Sequence, residues 1–353
     1  MKKKLVWFII PLLILAFAFS AWHFMPKNTK INTKGWIYRT LGIDIIKGDE
    51  PKYDVIRLKD DYITFAGTSE DITPFSNKLN AFGTWLESND IPFLYVQAPH
   101  KWPKNMVAFP NQKSHYAQQA DDMLSSLSYN GLDTYDMRDD IDGLEYFFKT
   151  DHHWKPETGL SASKYIAEFI NEKYNFELDT SIYDENNFTF EVKENFFLGS
   201  QGKKVGKYYA GLDDYTIITP KFETDLQKTV PIMGIDIKGD FADCFHDYSV
   251  FDNQDIFTAS PYVFYTSDYN LEIDRNNLVD NDKKVLFIRD SFGCVLTPFL
   301  SLSINELHVV DTRLFKENLY DYILQNDFDL VIFESNPGFN QAQFTLFKED
   351  IVD

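Results

Sequence analysis

A chain of 353 residues with 44% hydrophobic content can bury one large core, or one core with an inserted lobe, which excludes a disordered protein. Its formal net charge of -20 repels nucleic-acid phosphates and anionic surfaces within a Debye length, so neither a nucleic-acid partner nor a general polyanion-binding role fits. Aromatic residues make up 16%, including 32 Phe and 20 Tyr, which leads us to expect rings lining a cleft as well as filling a core.

The chain opens with Met1-Lys2-Lys3-Lys4, and the residues from Leu5 to Met25 include no Asp, Glu, Lys or Arg. At ~1.5 Å per residue such an apolar run reaches across the ~30 Å hydrocarbon core of a bilayer. The lysines before it favour the cytoplasm, so the remainder is expected outside the cell membrane, with residues 1–26 as an anchoring transmembrane helix. A signal segment cleaved near Ala18-Phe19-Ser20, giving a secreted protein, is the alternative. Residues 27–70 read as a tether and irregular lead-in, with a peripheral strand or two between Val55 and Phe65.

Residues 71–176 and 280–353 read as two parts of one α/β core. Short apolar runs predict buried parallel strands at Phe93 to Val96, Leu132 to Tyr135, Val285 to Ile288, Leu307 to Val310 and Leu330 to Phe333. Helical faces recur at Phe75, Leu79, Phe82 and Leu86, at Ala120, Met123, Leu124 and Leu127, and at Ile166, Phe169, Ile170 and Tyr174. Alternation of the two predicts a three-layer α/β/α arrangement around a largely parallel sheet. Between 177 and 279 the helical period gives way to alternation such as Phe188-Thr189-Phe190-Glu191-Val192, predicting a β-rich insertion. Within it, Gly199-Ser200-Gln201-Gly202-Lys203-Lys204-Val205-Gly206-Lys207 is a small basic cluster that reads as a solvated loop; folded over the active edge, it would reach hydroxyls or an anionic group of a polysaccharide. Cys244 and Cys294 are too few for a disulfide framework, and no Cys-x-x-Cys pair suits a zinc-thiolate site.

Two short stretches carry the chemistry. The strand ending Ile288-Arg289-Asp290-Ser291-Phe292-Gly293 runs into a helix-like segment, which puts Ser291 at the carboxyl edge of the sheet, where open α/β folds bind ligands. The start of that segment offers free N–H groups to an oxyanion, although Asp and Ser are equally ordinary helix caps. Lys149-Thr150-Asp151-His152-His153-Trp154-Lys155-Pro156 leads into a helix that Pro156 can open. Asp151 and His153 stand two apart, so in an extended segment they share a side; the carboxylate can hold one ring nitrogen while the other takes a serine proton. Two histidines and an aspartate could instead hold a metal, but no further ligand cluster stands elsewhere, and the reading taken is a triad without metal or cofactor. His100 and Lys101, after one predicted strand, and Asn336, after the last, are candidates to touch substrate; the asparagine could donate to an oxyanion.

These stretches carry a resemblance. Asp151-His152-His153-Trp154 is similar to the signature of the bacterial DHHW proteins, and Arg289 to Gly293, Pro298-Phe299-Leu300 and Asp311-Thr312-Arg313 look like that family's later block. The family in turn resembles the SGNH hydrolase-like alginate O-acetylation proteins, in which an Asp-x-His-Trp motif precedes the serine. The resemblance implies a flavodoxin-like SGNH core with Ser291 as nucleophile, His153 as base and Asp151 as its orienter, with His152, Trp154, Arg289 and Asp290 as substrate or oxyanion candidates. Arg289 stands where SGNH enzymes carry the glycine of Gly-Asp-Ser, which leaves the backbone N–H of Ser291 as the first oxyanion donor and the second open.

The implied function is an extracytoplasmic serine O-acyltransferase that O-acetylates a cell-surface or secreted polysaccharide, with a membrane-bound acyltransferase supplying the acyl group. A carbohydrate esterase or deacetylase would use the same residues, with water completing the reaction. A third reading, of another class, is a polysaccharide-binding assembly factor that does no catalysis.

Overall fold

The computed structural model describes residues 22–104, 106–107, 114–339 and 341–349. Most of the apolar run from Leu5 therefore lies outside the described residues, among which no helix is long and apolar enough to cross a membrane. The expected irregular tether is corrected: helix α1 (Lys27–Thr40) is followed by an antiparallel sheet of β1 (Ile45–Ile46), β2 (Val55–Arg57) and β3 (Ile63–Phe65). Periodicity missed α1 because Gly35 is its one buried residue. It docks through close backbone approach and one ring, Tyr38, with no apolar stripe: a Cβ on Gly35 would stand 2.2 Å from the Val205 carbonyl oxygen.

The core then alternates as the apolar runs predict. Helix α2 (Thr73–Ser88), strand β4 (Phe93–Gln97), α3 (His115–Tyr129), β5 (Asp133–Asp136) and α4 (Pro156–Tyr174) come first. Pro156 opens α4, where its missing N–H costs no hydrogen bond, and Asn175 ends it in the left-handed conformation. Next come β6 (Phe188–Phe197), the short helices α5 (Ser200–Val205) and α6 (Lys207–Ala210), β7 (Asp213–Pro220), β8 (Leu226–Val230), β9 (Ile235–Gly239), α7 (Phe241–Phe245) and β10 (Leu271–Asn276). The chain closes with β11 (Lys284–Arg289), α8 (Thr297–Leu300), β12 (Glu306–Asp311), α9 (Leu319–Leu324) and β13 (Leu330–Ser335).

Eight strands make the main sheet in the order β5-β4-β13-β11-β12-β10-β8-β9. The first five are parallel and are the five apolar runs; the last three join antiparallel. Residues 177–279 thus divide: β6 and β7 pair with each other, while β8, β9 and β10 prolong the core sheet. Both faces of β4, β11, β12 and β13 are covered, which is why they read as apolar runs, whereas β5 at the edge, Asp133-Thr134-Tyr135-Asp136, is only half-buried. On one face Leu94, Val96, Phe287 and Ile332 meet Leu160, Ile166 and Ile170 of α4. On the other, Phe93, Tyr95, Leu286 and Phe333 meet Phe82 of α2, Met123 of α3 and Ile323 of α9. Each such buried Leu, Ile or Phe contributes about 1.5–3 kcal/mol of burial free energy.

This arrangement brings the segments after β4, β11, β12 and β13 to one carboxyl edge, and β3 and α5 close over it. Ile63 N–H donates to the Lys149 carbonyl at 3.0 Å, fastening the small sheet to the loop that precedes α4.

Candidate active site

Ser291 follows β11 and begins a short 3-10 turn, Ser291–Val295, capped by Asp290, whose Oδ1 accepts from Phe292 N at 2.8 Å. First-turn N–H groups have no carbonyl of the turn to bond, so Ser291 presents both a hydroxyl and a backbone donor to the edge. The Ser291 hydroxyl donates to His153 Nε2 at 2.8 Å, and His153 Nδ1–H donates to Asp151 Oδ1 at 2.5 Å. The His153 backbone N–H donates to the same oxygen at 3.0 Å. Tyr262 stacks on the imidazole at 3.9 Å between ring centroids and His152 covers it at 3.8 Å, so the ring has little freedom to turn.

The loop behind Asp151 is locked from three sides. Asp213 accepts from Lys149 N at 2.6 Å and from Thr150 N at 2.8 Å. Ser200 N–H, at the start of α5, donates to Asp151 Oδ2 at 2.5 Å, and Gly199 N–H donates to Thr150 Oγ1 at 2.7 Å. Only glycine fits at 199, where a Cβ would stand 2.2 Å from Asp151 Cβ. From below, the buried Lys101 ammonium donates to the carbonyls of Phe148 (3.0 Å), Lys149 (3.2 Å) and Asp151. Burial pulls Lys101 down to about 7, against the attraction of Asp151. Burial by itself would raise the Asp151 carboxyl, yet His152, His153 and the bonds from His153 and Ser200 hold it well below the usual carboxylate range. It is therefore an anion throughout the neutral range, the state that fixes the His153 tautomer. Burial and then the charge of His153 push His152 down to about 3.

A pocket of about 260 Å³ opens on Ser291, with Thr64, Gln201, His152, Asn336 and Arg313 among its walls. Of the residues singled out from sequence, Ser291, His153 and Asp151 meet in one chain of hydrogen bonds, and His152, Asp290, His100 and Asn336 reach the pocket or its rim. Three expectations of substrate or oxyanion contact are corrected. Lys101 is fully buried under the loop. Trp154 is fully buried too, spending its Nε1–H on the Phe292 carbonyl at 2.9 Å. Arg289 is 1% exposed and is consumed by Ser267 O (2.7 Å), Asp290 O (3.1 Å) and Asp268. Asp290 and Asn336 act together: Asp290 Oδ2 accepts from Asn336 N at 2.9 Å and from Nδ2 at 2.6 Å, which ties the turns after β11 and β13. His100 stacks on Tyr116 at 3.8 Å, and burial, with Lys101 next to it, keeps it neutral.

Sequence reasoning missed Tyr262 and Thr64 as site residues, and it met Gln201 only as part of a basic loop. The glycines around Gln201 were the available signal; Tyr262 sits in an irregular stretch with none. Asp151, His152 and His153 also form the one group among the described residues whose ligand atoms could converge on a metal ion. Holding one would require His153 to give up Asp151 or Ser291, since each ring nitrogen is already engaged.

Comparison with known proteins bears on the fold. Residues 66–194 match the family model described as an SGNH hydrolase-like domain, acetyltransferase AlgX. Bacillus cereus PatB1, solved with a sulfonyl adduct, superposes with a TM-score of 0.66 at 18% identity, covering 87% of this chain and 100% of that one. A DHHW family protein from Eubacterium siraeum gives 0.64 at 16% identity, over 86% of this chain and 96% of that one. The core has the fold of an SGNH hydrolase-like domain. No curated protein matches the chain in sequence. The resemblance to DHHW and alginate O-acetylation proteins read from the tetrad therefore stands, and the family match supports an enzyme of the O-acetyltransferase or esterase type. The matched segment contains Asp151 to Trp154 and ends before Ser291, so the pairing of the two stretches rests on the geometry.

Proposed function

We propose that the protein is an extracytoplasmic serine O-acyltransferase that carries an acetyl group on Ser291 and passes it to a hydroxyl of a cell-surface or secreted polysaccharide. The observation that carries the proposal is the unbroken hydrogen-bond path from Asp151 through His153 to Ser291.

Ser291 Oγ attacks the donor's carbonyl carbon as its proton passes to His153 Nε2. The tetrahedral intermediate, its oxyanion facing the Ser291 N–H, collapses; the leaving group takes that proton and acetyl-Ser291 remains. A sugar hydroxyl then gives its proton to His153, attacks the acetyl carbon and releases Ser291, which recovers the proton. Asp151 stabilises the imidazolium formed in each half without taking a proton itself. Residues 1–26 anchor the chain to the membrane, close to a membrane-bound acyltransferase that delivers the acetyl group.

Water completing the second half would make the protein an esterase, a reading that the same hydrogen-bond path also accommodates. Incubating residues 26–353 with p-nitrophenyl acetate, with and without oligosaccharides, separates the two: acetylated sugar is expected, and acetate release alone would leave only the esterase. A Ser291→Ala chain that restores polysaccharide acetylation in cells would remove catalysis from this serine altogether.

A further inference from the structure

Two walls of the Ser291 pocket hold polar side chains that satisfy none of their hydrogen-bonding capacity. Gln201 and Thr64 are both fully buried, and neither the Gln201 amide nitrogen and oxygen nor the Thr64 hydroxyl has a partner among the described residues. Buried polar groups are nearly always paired, and leaving three such atoms unpaired in two residues that line one cavity is costly unless an occupant of that cavity engages them as it binds. Neither residue is there by accident of a floppy loop. Thr64 is the central residue of β3, paired with Ile56 of β2. Gln201 lies in α5, which is pinned by Ser200 N on Asp151, by Gly202 N on the Thr150 carbonyl at 2.8 Å and by Lys203 Nζ on the Ala259 carbonyl at 2.7 Å. Both positions fall outside the segment that matches the family model.

The missing partner has a definite chemistry. A carboxamide offers a donor and an acceptor side by side, and a threonine hydroxyl offers both on one atom. Neither is charged. The complement is a neutral group that donates and accepts over a short span, which describes adjacent hydroxyls on a sugar ring. An oxyanion would use only the amide N–H and leave the amide oxygen unpaired.

We propose that Gln201 and Thr64 form the acceptor subsite, holding neighbouring hydroxyls of a neutral sugar so that one of them faces the acyl group on Ser291. This rests on the reading of Ser291 as the acyl carrier, and two arms of one experiment keep the ideas apart. In the first arm, p-nitrophenyl acetate is the donor and cellotetraose the acceptor, and the ratio of acetylated sugar to free acetate is measured. Gln201→Leu and Thr64→Val, near-isosteric changes checked for retained fold by circular dichroism, each lower that ratio about tenfold. An unchanged ratio overturns the subsite. So does an equal fall in the p-nitrophenolate burst and in transfer, which would make Gln201 an oxyanion donor. In the second arm, Kd for cellotetraose is measured by calorimetry on the Ser291→Ala protein, where no turnover intervenes. About tenfold weaker binding after adding Gln201→Leu or Thr64→Val supports the subsite even if the unsubstituted chain gives no burst, a result that would sink only the proposed function. Undiminished binding in these variants, no saturable binding at all, or tighter binding of an oligogalacturonate that ignores Gln201→Leu overturns it.

Discussion

Asp151 has more to do than orient one imidazole, because its two oxygens also receive the backbone of His153 and of Ser200. Asp151→Asn keeps the shape but offers an amide N–H where an acceptor is needed, so acetyl-enzyme formation should fall by about 10³-fold or more; Ser291→Ala should abolish it. His153→Ala should resemble Ser291→Ala, whereas His152→Ala, which leaves the path to Ser291 intact, should cost about tenfold or less. Intact-protein mass spectrometry after exposure to p-nitrophenyl acetate reads all four, and a larger loss for His152→Ala would move the base to that residue. The depressed His152 also makes a stability prediction. Its folded value of about 3 lies below the ordinary 6.5, so between these values the unfolded chain binds a proton that the folded chain does not, and stability falls as pH drops through that window. His246, pushed down to about 4 by burial, acts in the same direction. Urea midpoints from pH 6.5 to pH 4 should therefore decline for the unsubstituted protein and decline less for His152→Gln; parallel curves would show that His152 does not contribute. The juxtaposition of Asp151, His153 and Ser291 was legible from a spacing of two and from a strand end that faces the sheet edge, but the stretch is bent where an extended one was expected, with the His153 N–H folding back onto Asp151. The direction of Arg289, Lys101 and Trp154 was not legible: long side chains next to catalytic positions can be spent beneath the site as readily as in it, and only packing decides.

At the level of elements, the site is built by closing a short helix and a small sheet onto a loop that the core alone would leave exposed. Gly199 is the tightest point of that closure. Gly199→Ala should force α5 away from Asp151, and since displacements of about 1 Å cost about 10²-fold in well-aligned sites, acylation should slow by that order while circular dichroism is unchanged. A rate within a factor of two of the original would show that the contact can relax. Gly35→Val tests the other side of α5: overpacking against Val205 should destabilise the protein by about 1–3 kcal/mol in urea unfolding. The elements that escaped periodicity, α1 and α5, each bring only one or two apolar side chains, Tyr38 and Val205, to a small cluster, and the rest of their contact is glycine backbone and single polar side chains, such as Asn32 Oδ1 accepting from Lys207 N at 2.9 Å. Apolar pattern finds strands covered on both faces, and it has nothing to say about such joints.

For the whole molecule, the three layers were readable from the five apolar runs, but the continuation of the sheet into β10, β8 and β9 was not, because half-covered antiparallel strands alternate weakly and resemble an insertion. Two predictions belong here. Chelation should leave acetyl-enzyme formation unchanged, because both nitrogens of His153 are engaged within the triad; loss on EDTA treatment with recovery on adding metal would reassign Asp151, His152 and His153 as ligands. The full chain should stay with membranes through a high-salt wash and leave them only in detergent, whereas recovery from the medium of a chain lacking residues 1–20 would identify a cleaved signal.

The docking of α1 has a consequence for the stiffness of the pocket wall. The first described helix grips α5 through Gly35 and, through Asn32, the start of α6, and α5 in turn carries Ser200 and Gln201 at the pocket. Seated against α5, α1 acts as a bracket for the pocket wall, so a displacement of this helix is passed on to Ser200 and Gln201 and is not absorbed in the chain between them.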